Sequence, residues 1–157
     1  MRLFILFLFF IVSAASHARS QTLSLWGGPG LTQIPTARTP EAATLAAGLA
    51  TDGGGLAHVA AGAAITPWLW VNVRQSAYPN GWGLLEPGVD ATLRLAPEGP
   101  LIPATAVGWR DALGSGIHLP GIGRFSGEYL VFSKRWWSLD FTAGLGWGRL
   151  AGRGAAA

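Results

Sequence analysis

Across Ser138–Arg149 apolar and small or polar positions alternate almost without a break. Leu139, Phe141, Ala143, Leu145 and Trp147 fall on one side, and Asp140, Thr142, Gly144, Gly146 and Gly148 on the other. A period of two marks a β-strand with a single apolar face. A strand of this length is long for a soluble domain, whereas about 9–11 residues are what a tilted strand needs to cross a bilayer. Lys134, Arg135, Trp136 and Trp137 come just before it, where a tight turn with interfacial aromatics would fall. The pattern predicts one hairpin in the wall of an outer-membrane β-barrel.

Upstream the same alternation recurs, predicting strands at 44–51, 56–66, 68–78, 88–96, 103–112 and 127–135 before the strand at 138–149. In 56–66, Ala57, Val59, Ala61, Ala63 and Ile65 oppose His58, Gly62 and Thr66. In 68–78, Leu69, Val71 and Val73 oppose Asn72, Arg74 and Ser76; in 88–96, Val89, Ala91, Leu93 and Leu95 oppose Asp90, Thr92 and Arg94. In 103–112, Val107 and Trp109 oppose Gly108 and Arg110. Strand 127–135 carries apolar residues on both sides, Leu130 and Phe132 against Tyr129 and Val131, so its orientation stays open. Connections alternate between tight, as at Thr66-Pro67 and Arg135–Trp137, and long, as at Pro79–Pro87 and Leu113–Ser126. Short turns on one rim and longer loops on the other suit such a barrel. The connection Asp52–Gly55 is short where a long one is due. Trp68, Trp70, Tyr78, Trp109, Trp136, Trp137 and Trp147 lie mostly near strand ends, as an aromatic girdle requires.

The first residues bear on compartment. Met1-Arg2 is a short positive start, Leu3–Val12 an apolar run, and Ser16-His17-Ala18 a small-residue cleavage signature. Residues 1–18 are therefore expected to be a cleaved signal peptide, being too short for a spanning helix of about 20 residues. Their removal takes Arg2 and lowers the formal charge from +3 to +2, spread without runs, so a nucleic-acid partner is not expected. Only 12% of residues are charged, about half the usual share for a soluble domain. No cysteine occurs, which excludes disulfides, thiolate metal sites and a lipidated cysteine from this chain. Residues 19–43, punctuated by Gly27-Gly28-Pro29-Gly30, Pro35 and Pro40, read as an extended lead-in. The barrel portion spans 44–150, and 151–157 read as an unstructured tail. If the mature chain meets lipid it does so as strands, since only helices and closed barrels satisfy their backbone groups there.

Catalytic chemistry is sparse. His58 and His118 stand far apart, and no cluster has metal spacing. Gly144-x-Gly146-x-Gly148 lies within a strand rather than between a strand and a helix, so close packing explains it better than phosphate binding. Asp90, Asp111, Glu128 and Asp140 could pair as the acid and base of a periplasmic glycan hydrolase. Pairing with Arg94, Arg110, Lys134 or similar neighbours across a lumen accounts for them more simply. Neither enzymatic activity nor a cofactor is expected. The candidate lumen-lining polar residues are Asn72, Arg74, Asp90, Arg94, Arg110 and Asp140, whose side of each strand would be costly to bury but cheap to hydrate.

Five blocks also carry a resemblance. Gly28-Pro-Gly-Leu-Thr-Gln-Ile-Pro-Thr-Ala-Arg38 resembles the N-terminal signature of the YjbH family, outer-membrane proteins linked to exopolysaccharide production and export. Gly88–Leu95, Pro103–Asp111, Glu128–Arg135 and Asp140–Leu150 are similar to later strands of that family, in its order. The resemblance implies a β-barrel component taking part in exopolysaccharide export or assembly at the surface of a Gram-negative-type cell. Its partners would be membrane lipid, the polysaccharide and other export proteins. Family members are much longer, so the chain is expected to be an N-terminal fragment of such a protein. Seven strands fall one short of the usual minimum of about eight for a closed barrel. The rival expectation is a soluble secreted β-sandwich that binds glycans through exposed tryptophans.

Overall fold

The computed structural model of the chain describes residues 22–52, 55–77, 85–112 and 126–148. The expected signal peptide, Tyr78, His118 and the tail 151–157 lie outside them. Seven strands follow one another: β1 (Leu45–Thr51), β2 (Ala57–Thr66), β3 (Leu69–Ala77), β4 (Leu85–Ala96), β5 (Ala104–Arg110), β6 (Gly127–Trp136) and β7 (Leu139–Gly146). Each pairs antiparallel with the next, giving one sheet in the order β1-β2-β3-β4-β5-β6-β7 that curls into a half-barrel. Six of the seven begin within a residue of the expected position. β4 starts earlier, at Leu85, and admits Pro87 at an exposed position opposite Gln75. Register shifts between Ala64 and Thr66 and between Arg94 and Ala96 sit at the short-turn rim. There an extra residue bends the strand and adds twist.

Side-chain parity is preserved from strand to strand, so the alternation in sequence becomes two contrasting surfaces. Leu49, Val59, Val73, Val89, Trp109, Leu130 and Leu145 share the convex side with their apolar neighbours. They are left uncovered: Leu45 and Leu49 are 80% exposed and Leu145 63%. The polar exceptions on that side sit near the ends of the strands, with Gln75 and Glu128 at the loop end and Thr105 and Lys134 at the turn end. A sandwich would need a second sheet over this surface; the described residues form a single sheet.

The concave side reverses the usual rule. Its buried residues include His58, Asn72, Arg74, Ser76, Glu86, Asp90, Thr92 and Ser133, and beside Trp70, Tyr129 and Val131 its buried apolar members are alanines, Ala60, Ala64, Ala104 and Ala106 among them. Large side chains there need a vacancy beside them. The row Trp70, Thr92, Gly108, Tyr129, Gly146 runs across β3 to β7. Any Cβ at Gly108 would fall inside the Tyr129 ring, and one at Gly88 would lie 2.6 Å from an Arg74 nitrogen. This resolves the orientation of β6: Tyr129, Val131 and Ser133 point inward, Leu130 and Phe132 outward. At Gly144 a Cβ would meet the Leu130 carbonyl oxygen at 2.6 Å, so close approach within the wall does account for that glycine.

The aromatic girdle needs one correction. Trp70 is fully buried on the concave side, where its Nε1 donates to Asn72 Oδ1 at 3.1 Å. Its parity with Asn72 and Arg74 places it there, and a buried indole needs such a partner. Trp68, Trp136 and Trp137 are exposed at the short turns, and Trp109 and Trp147 at the opposite level. From Leu139 to Trp147 the chain rises about 27 Å at about 3.4 Å per residue, or roughly 21 Å along an axis tilted about 40°.

Candidate functional site

The site is the concave face together with residues 22–40, which lie inside its curve. That segment contains no regular element beyond two isolated bridges, Leu23 with Pro29 and Gly30 with Pro35. Its fold is set by short backbone bonds, among them Ser24 N to Gly28 O at 2.8 Å and Leu25 N to Thr32 O at 2.8 Å. Gly27 adopts φ +82°, and a Cβ there would collide with the Ala60 methyl. The glycine thus answers both the backbone conformation and the closeness of the wall.

Toward the loop end, β3 and β4 build a buried polar network. Arg74 Nε donates to Asp90 Oδ2 at 3.4 Å and its Nη1 to Ser76 Oγ at 2.6 Å. Ser76 Oγ lies 2.9 Å from His58 Nδ1. Asp90 also accepts from Asn72 Nδ2 at 3.0 Å and from the Asp111 backbone N–H at 2.7 Å. Thr92 and Tyr129 hydroxyls meet at 2.7 Å on the same side. Asn72 Nδ2 reaches out of the network to the Trp26 carbonyl at 3.1 Å, and Arg110 Nη2 donates to the Gln33 carbonyl at 2.8 Å. The Trp26 ring faces the Arg110 and Arg74 guanidinium carbons at 4.6 and 5.2 Å, with the His58 ring 4.9 Å away. Cations over an indole face are favourable contacts.

At the turn rim a second set of ties holds the other end of the segment. Thr36 Oγ1 lies 3.0 Å from Ser133 Oγ, which also accepts from the Ala37 N–H at 2.9 Å. Arg38 donates from Nη1 to both Asp140 oxygens at 2.8 and 2.9 Å and from Nε to Glu98 Oε2 at 2.8 Å. Arg135 joins from both directions, Nη2 to Asp140 at 3.2 Å and its N–H to Glu98 Oε1 at 2.7 Å. Thr39 donates its hydroxyl to the Pro67 carbonyl. Arg38 and the Arg135 N–H hold the Glu98 carboxyl below its ordinary range, against a smaller opposing effect of burial. Burial works against the Arg38 charge, but its bonds to Glu98 and Asp140 outweigh it and raise its pKa. Beside this clasp lies a recess of about 330 Å³ bordered by Thr36, Arg38, Arg135, Asp140 and Thr142.

All six candidate lining residues fall on the concave side. Asn72, Arg74 and Asp90 are buried in the network; Arg94 and Arg110 are half-buried; Asp140 stands at the exposed rim. Asp90 pairs with Arg74 rather than Arg94, and Asp140 with Arg38 and Arg135. Of the carboxylates considered for acid–base chemistry, Asp90 and Asp111 are brought together through the Asp111 N–H, while Glu128 is on the convex side. Among the described residues no group of three or more His, Cys, Asp or Glu side chains could hold a metal ion. The partners missed from sequence are Trp26, Thr36, Arg38 and Glu98. No periodicity marks them. The one usable signal is charge complementarity between the Thr36-Ala37-Arg38 run and Ser133, Arg135 and Asp140.

The blocks that resemble the YjbH family thus meet in space: Thr36–Arg38 on Ser133 and Asp140, and Asp90 on Asp111. The family model described as "Exopolysaccharide biosynthesis protein YbjH" matches residues 22–157. The chain belongs to the YjbH family. A relative, "Uncharacterized lipoprotein YjbH" of Escherichia coli (strain K12), is 34% identical over 140 residues, covering 82% of this chain. The chain spans 19% of the length of that curated relative. No solved structure matches the chain. The family description concerns exopolysaccharide biosynthesis, and the fold found here is a half-barrel of seven strands on which the family-like blocks are assembled.

Proposed function

We propose that residues 45–146 form part of the wall of an outer-membrane β-barrel that helps an exopolysaccharide leave or organise at the cell surface, without catalysing a reaction. Residues 1–18 serve as the signal that directs the chain out of the cytoplasm, and lipid, polysaccharide and other export proteins are its partners. One observation carries the reading: every strand presents apolar side chains to the uncovered convex side, while the concave side buries the charged and hydrogen-bonding groups of β2, β3, β4 and β6. Water would penalise that arrangement, and hydrocarbon would reward it. The two levels of tryptophan, about one apolar band apart, and the polar residues confined to the strand ends support the same placement. The family's link to exopolysaccharide supplies the cargo.

None of the 157 residues is a cysteine, so each cysteine substitution introduces a new thiol into this stretch. Single cysteines at Leu49, Val73 and Leu145 are placed in the full-length protein in outer membranes. They should resist a charged maleimide and be quenched by nitroxides fixed at acyl depth. Rapid aqueous labelling of all three, with no lipid quenching, overturns the reading. Because Arg74 is committed to Asp90 inside the wall, the polymer-facing role falls to the half-buried Arg94 and Arg110. Reversing both charges should lower export while leaving membrane insertion intact.

A further inference from the structure

We propose that residues 22–38 are a displaceable plug in the saccharide path, hinged at residues 39–44, whose carbonyls occupy the positions of polysaccharide oxygens on Asn72 and Arg110. The proposal rests on the reading above and concerns the same concave face. Three observations lead to it. The segment lies along the interior from the Trp26 contacts at the loop end to the Arg38 clasp at the turn rim, so a polymer following that face would meet it.

The chemistry of its attachment is exchangeable. Asn72 Nδ2 and Arg110 Nη2 donate to backbone carbonyls of Trp26 and Gln33, both acceptors that a sugar hydroxyl or ring oxygen can replace one for one. The Arg38 clasp lies at the rim with its side chain and that of Asp140 at 30% and 39% exposure, open to water and to competing carboxylates of an acidic polymer. The segment brings small groups to these contacts: Gly27 against the Ala60 methyl, and Ala37 into a cluster with Ala104, Ala106, Tyr129 and Val131. The hydrophobic driving force scales with apolar area, so these two contacts hold the segment weakly.

The hinge is fixed to the wall independently of the plug. Thr39 bonds the Pro67 carbonyl, and Ala43 N donates to Ala64 O at 2.8 Å. Ala43 itself turns with φ 63°, a left-handed conformation that redirects the chain from the interior into β1.

The Thr36 and Ser133 hydroxyl oxygens are 3.0 Å apart, which suits a Thr36→Cys/Ser133→Cys crosslink, and none of the 157 residues is a cysteine that would compete for it. In cells producing the full-length variant, surface polymer should fall at least tenfold under oxidising conditions and recover on adding a reductant. A complete crosslink with unchanged polymer overturns the plug, and so does a pair that fails to crosslink in folded protein. Arg38→Ala gives the opposite readout. Loosening the clasp should admit a bulky hydrophilic antibiotic and lower its inhibitory concentration at least fourfold; no change counts against the plug. A strain lacking the protein separates the two levels. If its surface polymer equals that of the parent strain, the export reading itself fails; if polymer is lost on deletion but not on crosslinking, only the plug fails.

Discussion

The convex and concave faces of this sheet are built from the same seven strands, yet they obey opposite rules. On the convex face Leu49 and Val73 are 80% and 56% exposed; one residue along the chain from each, on the concave face, Arg74 and Gly48 line the interior. Arg74 is only 3% exposed. The contrast teaches that burial here follows hydrogen bonding and not apolarity. A charged side chain is kept from solvent where a network satisfies it, while aliphatic side chains of the opposite face stand uncovered.

The contrast can be broken most severely from the inside. Asp90→Ala takes the carboxylate from Arg74, Asn72 and the Asp111 N–H together, and should cost about 3–5 kcal/mol, read as a fall in the urea midpoint of the folded protein. From the outside, Val73→Arg at the middle of β3 should cost about 2–4 kcal/mol in a bilayer, but nearly nothing if that face meets water, where surface changes stay within about 0.5 kcal/mol. The measurement is the same unfolding midpoint in lipid vesicles. Gly108→Ala sharpens the comparison, because it adds one methyl where the Tyr129 ring sits and should destabilise by about 1–3 kcal/mol. Ala143→Val, which adds two carbons on the exposed convex side, should by contrast be close to neutral.

The smallest effect belongs to the rim. Glu98→Gln should cost roughly 0.2–1 kcal/mol, and less in high salt, as expected of partly exposed ion pairs. The pH dependence has a definite sign. The Glu98 carboxyl is held below its ordinary 4.5 in the folded protein, so its contribution is fully present above that value. It is lost as pH falls through the lower, folded-state value. Thermal melts from neutral pH into the acid range should therefore show a loss below about pH 4.5 that is absent in Glu98→Gln.

The strands were legible because each carries a strict period of two, and a slip of one residue would turn every apolar side chain inward. β6 was placed at 127–135, against Gly127–Trp136 in the structure, but its orientation was not legible, since Tyr129 and Val131 look as apolar as Leu130 and Phe132. What decides between them is Gly108, a vacancy on the neighbouring strand that becomes visible only once the register is known. Trp70 was assigned to the girdle by its place near a strand end, although its parity with Asn72 already pointed inward. The plug segment was read as a featureless lead-in because its structure is imposed from Ser133 and Asp140, about a hundred residues further on. No local pattern encodes such contacts. Asn72, Arg74, Asp90, Arg94, Arg110 and Asp140 share the concave side, but pairings such as Arg74 with Asp90 and Asp140 with Arg38 follow from strand register and chain path, which the alternation alone does not give.

One property of the meander reaches beyond these residues. With seven consecutive antiparallel strands, β1 and β7 point the same way along the axis. Two like-directed margins cannot be stitched to each other in a wall where neighbours always oppose. If the cylinder is sealed in the usual even-numbered fashion, the seam must be filled by an odd complement of strands, whatever polypeptide provides them.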